Sequence, residues 1–113
     1  MEIWALAEGI PGWLTTGQAE LLHEQARTLP AGAAVVEIGS HKGRSTVVLA
    51  HALRERGGTV VAIDPFIDGA VFGGSATRHH FERHVEMASV GDTVELGIEK
   101  LGESRQKVVA WTG

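Results

Sequence analysis

Two acids and a pair of glycines in this chain stand in an arrangement suited to grip a small ligand. In "VVEIGSHKGRST", from Val35 to Thr46, an apolar run carries one acid, Glu37. Gly39 and Gly43 follow, and then a Ser-Thr pair able to open a helix. A second apolar run, "TVVAID", ends in Asp64. Three ligand chemistries compete for such a loop. A nucleotide triphosphate cradle needs G-x-x-x-x-G-K-[ST], with lysine reaching the terminal phosphates. Here the glycines stand one residue closer, and Arg44 occupies the lysine's place. A dinucleotide fingerprint, G-x-G-x-x-G, brings a pyrophosphate against its second glycine. His41 holds that position, and its side chain would crowd a diphosphate. The third chemistry is a nucleoside without phosphates. It needs a turn that admits a polar tail to the backbone and an acid on the next strand for the ribose diol. Glu37, Gly39 and Gly43 meet the first need. Asp64 meets the second, because a carboxylate accepts both ribose hydroxyls and lies near the interval of about 20 residues seen in the related fingerprint.

The elements that must position these groups alternate along the chain. Thr15 with Gln18 has capping-box spacing, and Ala19, Leu22, Ala26 and Leu29 recur at helical intervals until Pro30, which predicts a helix over Gly17 to Thr28. "AAVVEI" is short, β-branched and apolar on both faces, as a strand buried between two helix layers should be. From Ser45, the residues Val48, Leu49, Ala52 and Leu53 line one face of a second helix, ended by Gly57 and Gly58. "TVVAID" is the second strand. The Gly-rich "PFIDGAVFGGSA" after it is expected to be a mobile loop without regular structure. Phe81, Val85 and Ala88 stripe a third helix, "TVEL" reads as a third strand, and "ESRQKVVAWTG" begins a fourth helix. Strands alternating with helices imply an open, doubly wound parallel α/β sheet with right-handed crossovers and ligands past the carboxyl ends of the strands.

Composition narrows the function classes. At 113 residues the chain is read as one domain, 1–113, with no linker, repeat or low-complexity tract. A net charge of -4 with scattered Lys and Arg leaves no basic footprint for nucleic acid. Cysteine is absent, so thiolate metal sites and a cysteine nucleophile are excluded, and a reducing compartment is permitted. No window approaches the roughly 18 apolar residues of a membrane span, and the N-terminus lacks the basic flank of a leader. A cytoplasmic protein is expected. His80 and His84 share the i, i+4 spacing of a zinc-binding pair, but Glu82 is one position off that motif and no third ligand is evident, so both are expected to be solvated and no metal is assigned. Trp4, Trp13 and Trp111 are dispersed and are expected in core or lid packing.

"VVEIGSHKGRSTVVLA" followed by "GGTVVAIDPF" closely resembles the class I S-adenosylmethionine-dependent methyltransferases, within them the small-molecule group whose first motif reads E-I-G-x-x-x-G-x-S-T. The resemblance extends from Gly9 over nearly the whole chain. It implies a Rossmann-like sheet, S-adenosyl-L-methionine as cofactor, and methyl transfer to a small-molecule acceptor, at oxygen. By that resemblance Glu37, Gly39, Ser40, His41 and Gly43 line the methionine end and Ser45 opens the next helix. Asp64 holds the ribose, Pro65 and Phe66 flank the adenosine, and Glu103 and Ser104 of "GES" meet the adenine. The family continues past "AW" into a fourth strand and an acidic segment bearing catalytic or metal-binding residues. This chain is therefore expected to carry the cofactor half, truncated before the fourth strand, with its catalytic residues unassigned. A non-catalytic nucleoside-binding or regulatory module of the same fold is the alternative.

Two further expectations follow. Asp64→Ala should weaken cofactor binding by about 1 to 3 kcal/mol while leaving the fold largely intact. In the resembled strand order, 3-2-1-4-5-7-6, the first strand would have one bare edge, so the chain should self-associate through Ala33 to Ile38.

Overall fold

The computed structural model describes residues 2–72 and 74–97. Helix α1 (Ile3–Glu8) and helix α2 (Thr16–Arg27) precede strand β1 (Ala34–Ile38). Helix α3 (Arg44–Arg54) leads to β2 (Thr59–Ile63), a 3-10 turn at Ala70–Phe72, helix α4 (Thr77–Met87) and β3 (Val94–Leu96). The strands are parallel in the order β1-β2-β3. The alternating α/β order read from the sequence is therefore present. The expected fourth helix and both Glu103 and Ser104 lie outside the described residues.

Local chemistry explains where the helices begin. Both halves of the capping box of α2 form: the Gln18 amide donates to Thr15 Oγ1 at 3.2 Å, and the Thr15 amide donates to Gln18 Oε1 at 3.0 Å. Helix α4 starts after Ala76, which has no side-chain cap, and Asp68 substitutes from a distance by accepting the Thr77 amide at 2.9 Å. That backbone N–H holds the Asp68 carboxyl below the usual carboxylate range. The Gly-rich segment expected to lack structure is closed by an antiparallel bridge between Gly69 and Gly74 around the 3-10 turn.

Helix α3 is the centre of the core. Val47, Val48, Ala50 and Leu53 are fully buried, and α1, α2 and β2 all pack on this helix. Helix α1, whose six residues are too few to show a periodic signal, contributes Ile3 and Ala7, and Ile10 just beyond it is 1% exposed.

The sheet register explains a departure from expectation in β1. Val35 pairs with Val60 and Glu37 with Ala62, while Val94 and Leu96 pair with Val60 and Ala62. Paired residues share a face, so these six form the side on which α3 packs. Ala34, Val36, Ile38, Val61 and Ile63 form the other side. Both crossovers step the same way along the sheet, and right-handed connections then place both α3 and α4 on one face. Among the described residues, helices therefore cover β1 on one face, and on the other Val36 is 54% and Ile38 82% exposed.

Candidate cofactor site

The site forms where β1 and β2 end. The Gly39 amide donates to the Ile63 carbonyl at 2.7 Å, which extends the ladder one step past β1. The chain then turns sharply. Gly39 has φ +84°, His41 +51° and Gly43 +94°. At Gly43 the left-handed backbone favours glycine, and an added Cβ would stand 3.2 Å from Phe81 Cδ2. At Gly39 an added Cβ would meet nothing within 4 Å, so the loop presents open space there. His41 adopts the same region without being glycine, at a cost of order 1 kcal/mol that its surroundings must offset.

Asp64 supplies that restraint. Its Oδ2 accepts the His41 amide at 2.8 Å, and its Oδ1 accepts the Phe66 amide at 2.7 Å. One carboxylate thus ties the loop after β1 to the loop after β2. Phe66, also at positive φ, sets its ring 5.3 Å from Phe81. The expectation that removing Asp64 would spare the fold is amended by these bonds: the residue is built into both loops, and two lone pairs remain for a ligand.

Glu37 is likewise engaged by its own chain. The hydroxyls of Ser45 and Thr46 both donate to its carboxylate, and Thr46 is fully buried. These bonds fix the first turn of α3, whose N-cap Gly43 offers no side chain. Glu37 and Ser45 therefore shape the site by holding the helix start, a role the sequence assigned only to Ser45.

Two cavities flank the loop. The larger, about 400 Å³, is lined by Trp13, Gln18, Gly39, Ser40, His41 and Ser45 among others. The second, about 290 Å³, is lined by Trp13, Gly39, His41, Asp64, Pro65, Ile67 and Val71. Ser40 is 3% exposed, and its Oγ is buried with no hydrogen-bond partner among the described residues.

Several residues bear on the site that the sequence left aside. Arg44 donates from Nη1 to the carbonyls of Ile10, at 3.1 Å, and Glu8, at 3.3 Å, which straps the segment before α2 over the start of α3. Trp13, expected in packing, is 83% exposed, with its ring 5.7 Å from that of His41. His84, expected to be solvated, is half-buried, and its Nδ1 donates to the Lys42 carbonyl at 2.7 Å, bracing the loop from α4. Since a carbonyl only accepts, Nδ1 carries the proton. His80 stacks on His84 at 6.1 Å, and burial, then the nearby Lys42 charge, lowers its pKa. Among the described residues no three His, Cys, Asp or Glu side chains are grouped to hold a metal ion, and no helix is long and apolar enough to cross a membrane.

A parallel sheet with a glycine turn and an acid at its carboxyl edge, flanked by an open groove, defines a nucleoside-binding class of α/β domain. Residues 36–110 match the family described as "Methyltransferase domain", and the chain belongs to it. Solved structures share the fold. Cofactor-bound Rv0187 from MTB aligns at 24% identity with TM-score 0.59, over 83% of this chain and 40% of that one. The O-methyltransferase TomG from Streptomyces achromogenes, involved in tomaymycin synthesis and solved in complex with SAM, aligns at 26% identity with TM-score 0.60, over 85% and 42%. A candidate O-methyltransferase from Klebsiella pneumoniae aligns at 21% identity with TM-score 0.61, over 90% and 44%. The chain thus spans about two fifths of the length of the structures it matches.

Proposed function

We propose that residues 1–113 act as one domain that binds S-adenosyl-L-methionine along the carboxyl edge of β1 and β2, as the cofactor half of a methyltransferase for a small-molecule acceptor, at oxygen. The observation that carries this reading is the meeting of two cavities at Gly39, one lined by Ser40 and Ser45 and the other by Asp64 and Pro65. The groove fits the cofactor in two respects. Gly39 leaves room for close approach to the backbone. Asp64 keeps acceptor capacity for the ribose diol beyond its two backbone bonds.

Pro65 and Phe66 would flank the adenosine, and Gly39, Ser40 and His41 would line the methionine end, with Glu37, Gly43 and Ser45 holding that wall in place. When bound, the cofactor supplies an activated methyl group. This chain's residues contribute orientation: a loop fixed by Asp64, Glu37 and His84 presents one geometry to the ligand, which is how such a site reduces the entropy cost of aligning donor and acceptor. The net charge of -4 agrees with a small-molecule partner in place of nucleic acid, and the lack of cysteine with a cytoplasmic setting.

Calorimetric titration with S-adenosylhomocysteine tests the reading. Saturable binding to the folded chain is expected, and no heat and no thermal shift at millimolar ligand would refute it. Affinity without methyl transfer to any acceptor would instead identify a non-catalytic nucleoside-binding module.

A further inference from the structure

Three residues line both cavities: Trp13, Gly39 and His41. Resting on the reading above, the nucleoside belongs in the cavity with Asp64 and Pro65, and the amino-acid tail in the cavity with Ser40 and Ser45. The atom of the cofactor that joins these two parts is the sulfonium sulfur, which carries a full positive charge. It therefore belongs at the wall the cavities share. Gly39 has no side chain to offer there, and of the other two, Trp13 presents the larger aromatic face.

We infer that Trp13 is a cation-recognising residue that distinguishes the sulfonium cofactor from its neutral thioether product. A lone exposed tryptophan needs no explanation. The backbone beside this one is held in place. Arg44, the first residue of α3, bonds the Glu8 and Ile10 carbonyls, and its alkyl stem lies so close under Gly12 that an added Cβ would stand 3.1 Å from Arg44 Cδ. The residue next to Trp13 is thus pressed onto the same helix start that Glu37 fixes. The indole then stands 83% exposed over the loop, tilted 41° to the His41 ring, with no place in the core. Indole is the best of the natural rings for attracting a cation to its face. The interaction exists for the sulfonium and vanishes for the thioether, so Trp13 favours the methyl donor over the spent product and assists product release.

The test compares two ligands in three proteins by calorimetry: S-adenosylmethionine and S-adenosylhomocysteine with the wild type, Trp13→Leu and Trp13→Phe. The side chain is exposed, so both variants fold. Trp13→Leu is expected to weaken S-adenosylmethionine binding roughly 3- to 10-fold and S-adenosylhomocysteine binding less than about 2-fold, as loss of a partly exposed cation–π contact requires. Trp13→Phe should recover part of the difference. Equal weakening of both ligands, or no change in either, overturns the role of Trp13 and leaves the cofactor site standing. If neither ligand binds the wild type, the cofactor reading itself fails, and this inference with it.

Discussion

Asp64→Asn isolates what the acid does for the protein from what it does for the ligand. In the native site each carboxylate oxygen accepts one backbone amide, His41 at 2.8 Å and Phe66 at 2.7 Å. Asparagine is nearly isosteric, but one of its two terminal atoms is an NH2 donor. Whichever way the amide turns, a donor then faces a donor. One charge-assisted bond is lost and the other becomes neutral. A hydrogen bond to a charged group contributes about 1.5–3 kcal/mol. Asp64 is only half-buried, and water recovers part of that, so a net loss of about 1–2 kcal/mol is expected. For a chain of this size it lowers Tm by roughly 5–10 °C. Thermal and urea unfolding followed by circular dichroism measure it, with S-adenosylhomocysteine affinity determined on the same samples below the transition. Affinity should fall as well, since the mispaired amide releases either the His41 or the Phe66 loop. A variant within about 0.3 kcal/mol of the wild type in stability, with unchanged affinity, would refute the clasp.

Three other outcomes follow from the structure. Glu37→Ala strands the fully buried Thr46 hydroxyl without its acceptor, so a stability loss of about 1–3 kcal/mol is expected by urea unfolding, and Glu37→Gln should restore much of it. His23, hydrogen-bonded to His51 at 2.9 Å, has its pKa lowered by burial, then by His51 and Arg27, with Glu55 opposing. The folded state then binds fewer protons than the unfolded one between the lowered value and the ordinary 6.5. Stability should rise with pH through that window and level off on either side of it, and His23→Gln should flatten the profile. Finally, Val36 and Ile38 leave an apolar stripe on β1, so the 113-residue chain should self-associate in light scattering across a concentration series. Ile38→Lys should return it toward monomer, and a wild-type monomer at high micromolar concentration would show that the stripe is covered.

The fold was legible wherever one residue pattern had one physical cause. Thr15 and Gln18 declared the start of α2 because a capping box is a local bond pair, and the β-branched runs ending in Glu37 and Asp64 declared parallel strands because little else tolerates such continuous apolarity. The site was legible in outline from Gly39, Gly43 and Asp64, whose backbone and charge requirements are written in residue type. What the sequence hid was tertiary. Six residues are too short for periodicity to reveal α1, and the strapping by Arg44 depends on a segment more than thirty positions away. His84 looked like half of a solvated pair because nothing local shows that its imidazole reaches the Lys42 carbonyl. The enclosed strand expected for β1 failed for a topological reason: apolarity on both faces records what a residue prefers to meet, and the described crossovers cover only one side.

A nucleoside ligand seated where β1 and β2 end will shift the amides around it, which nitrogen-15 chemical-shift mapping of the labelled chain reads residue by residue. Titration with S-adenosylhomocysteine should move the resonances of Gly39, Ser40, His41, Asp64 and Phe66 together along one binding curve. Amides at the far end of the sheet and in α2, such as Ala34, Thr59 and Ala26, should stay in place. Saturable shifts confined to other parts of the chain, or a spectrum of the folded protein that millimolar ligand leaves unchanged, would contradict the account.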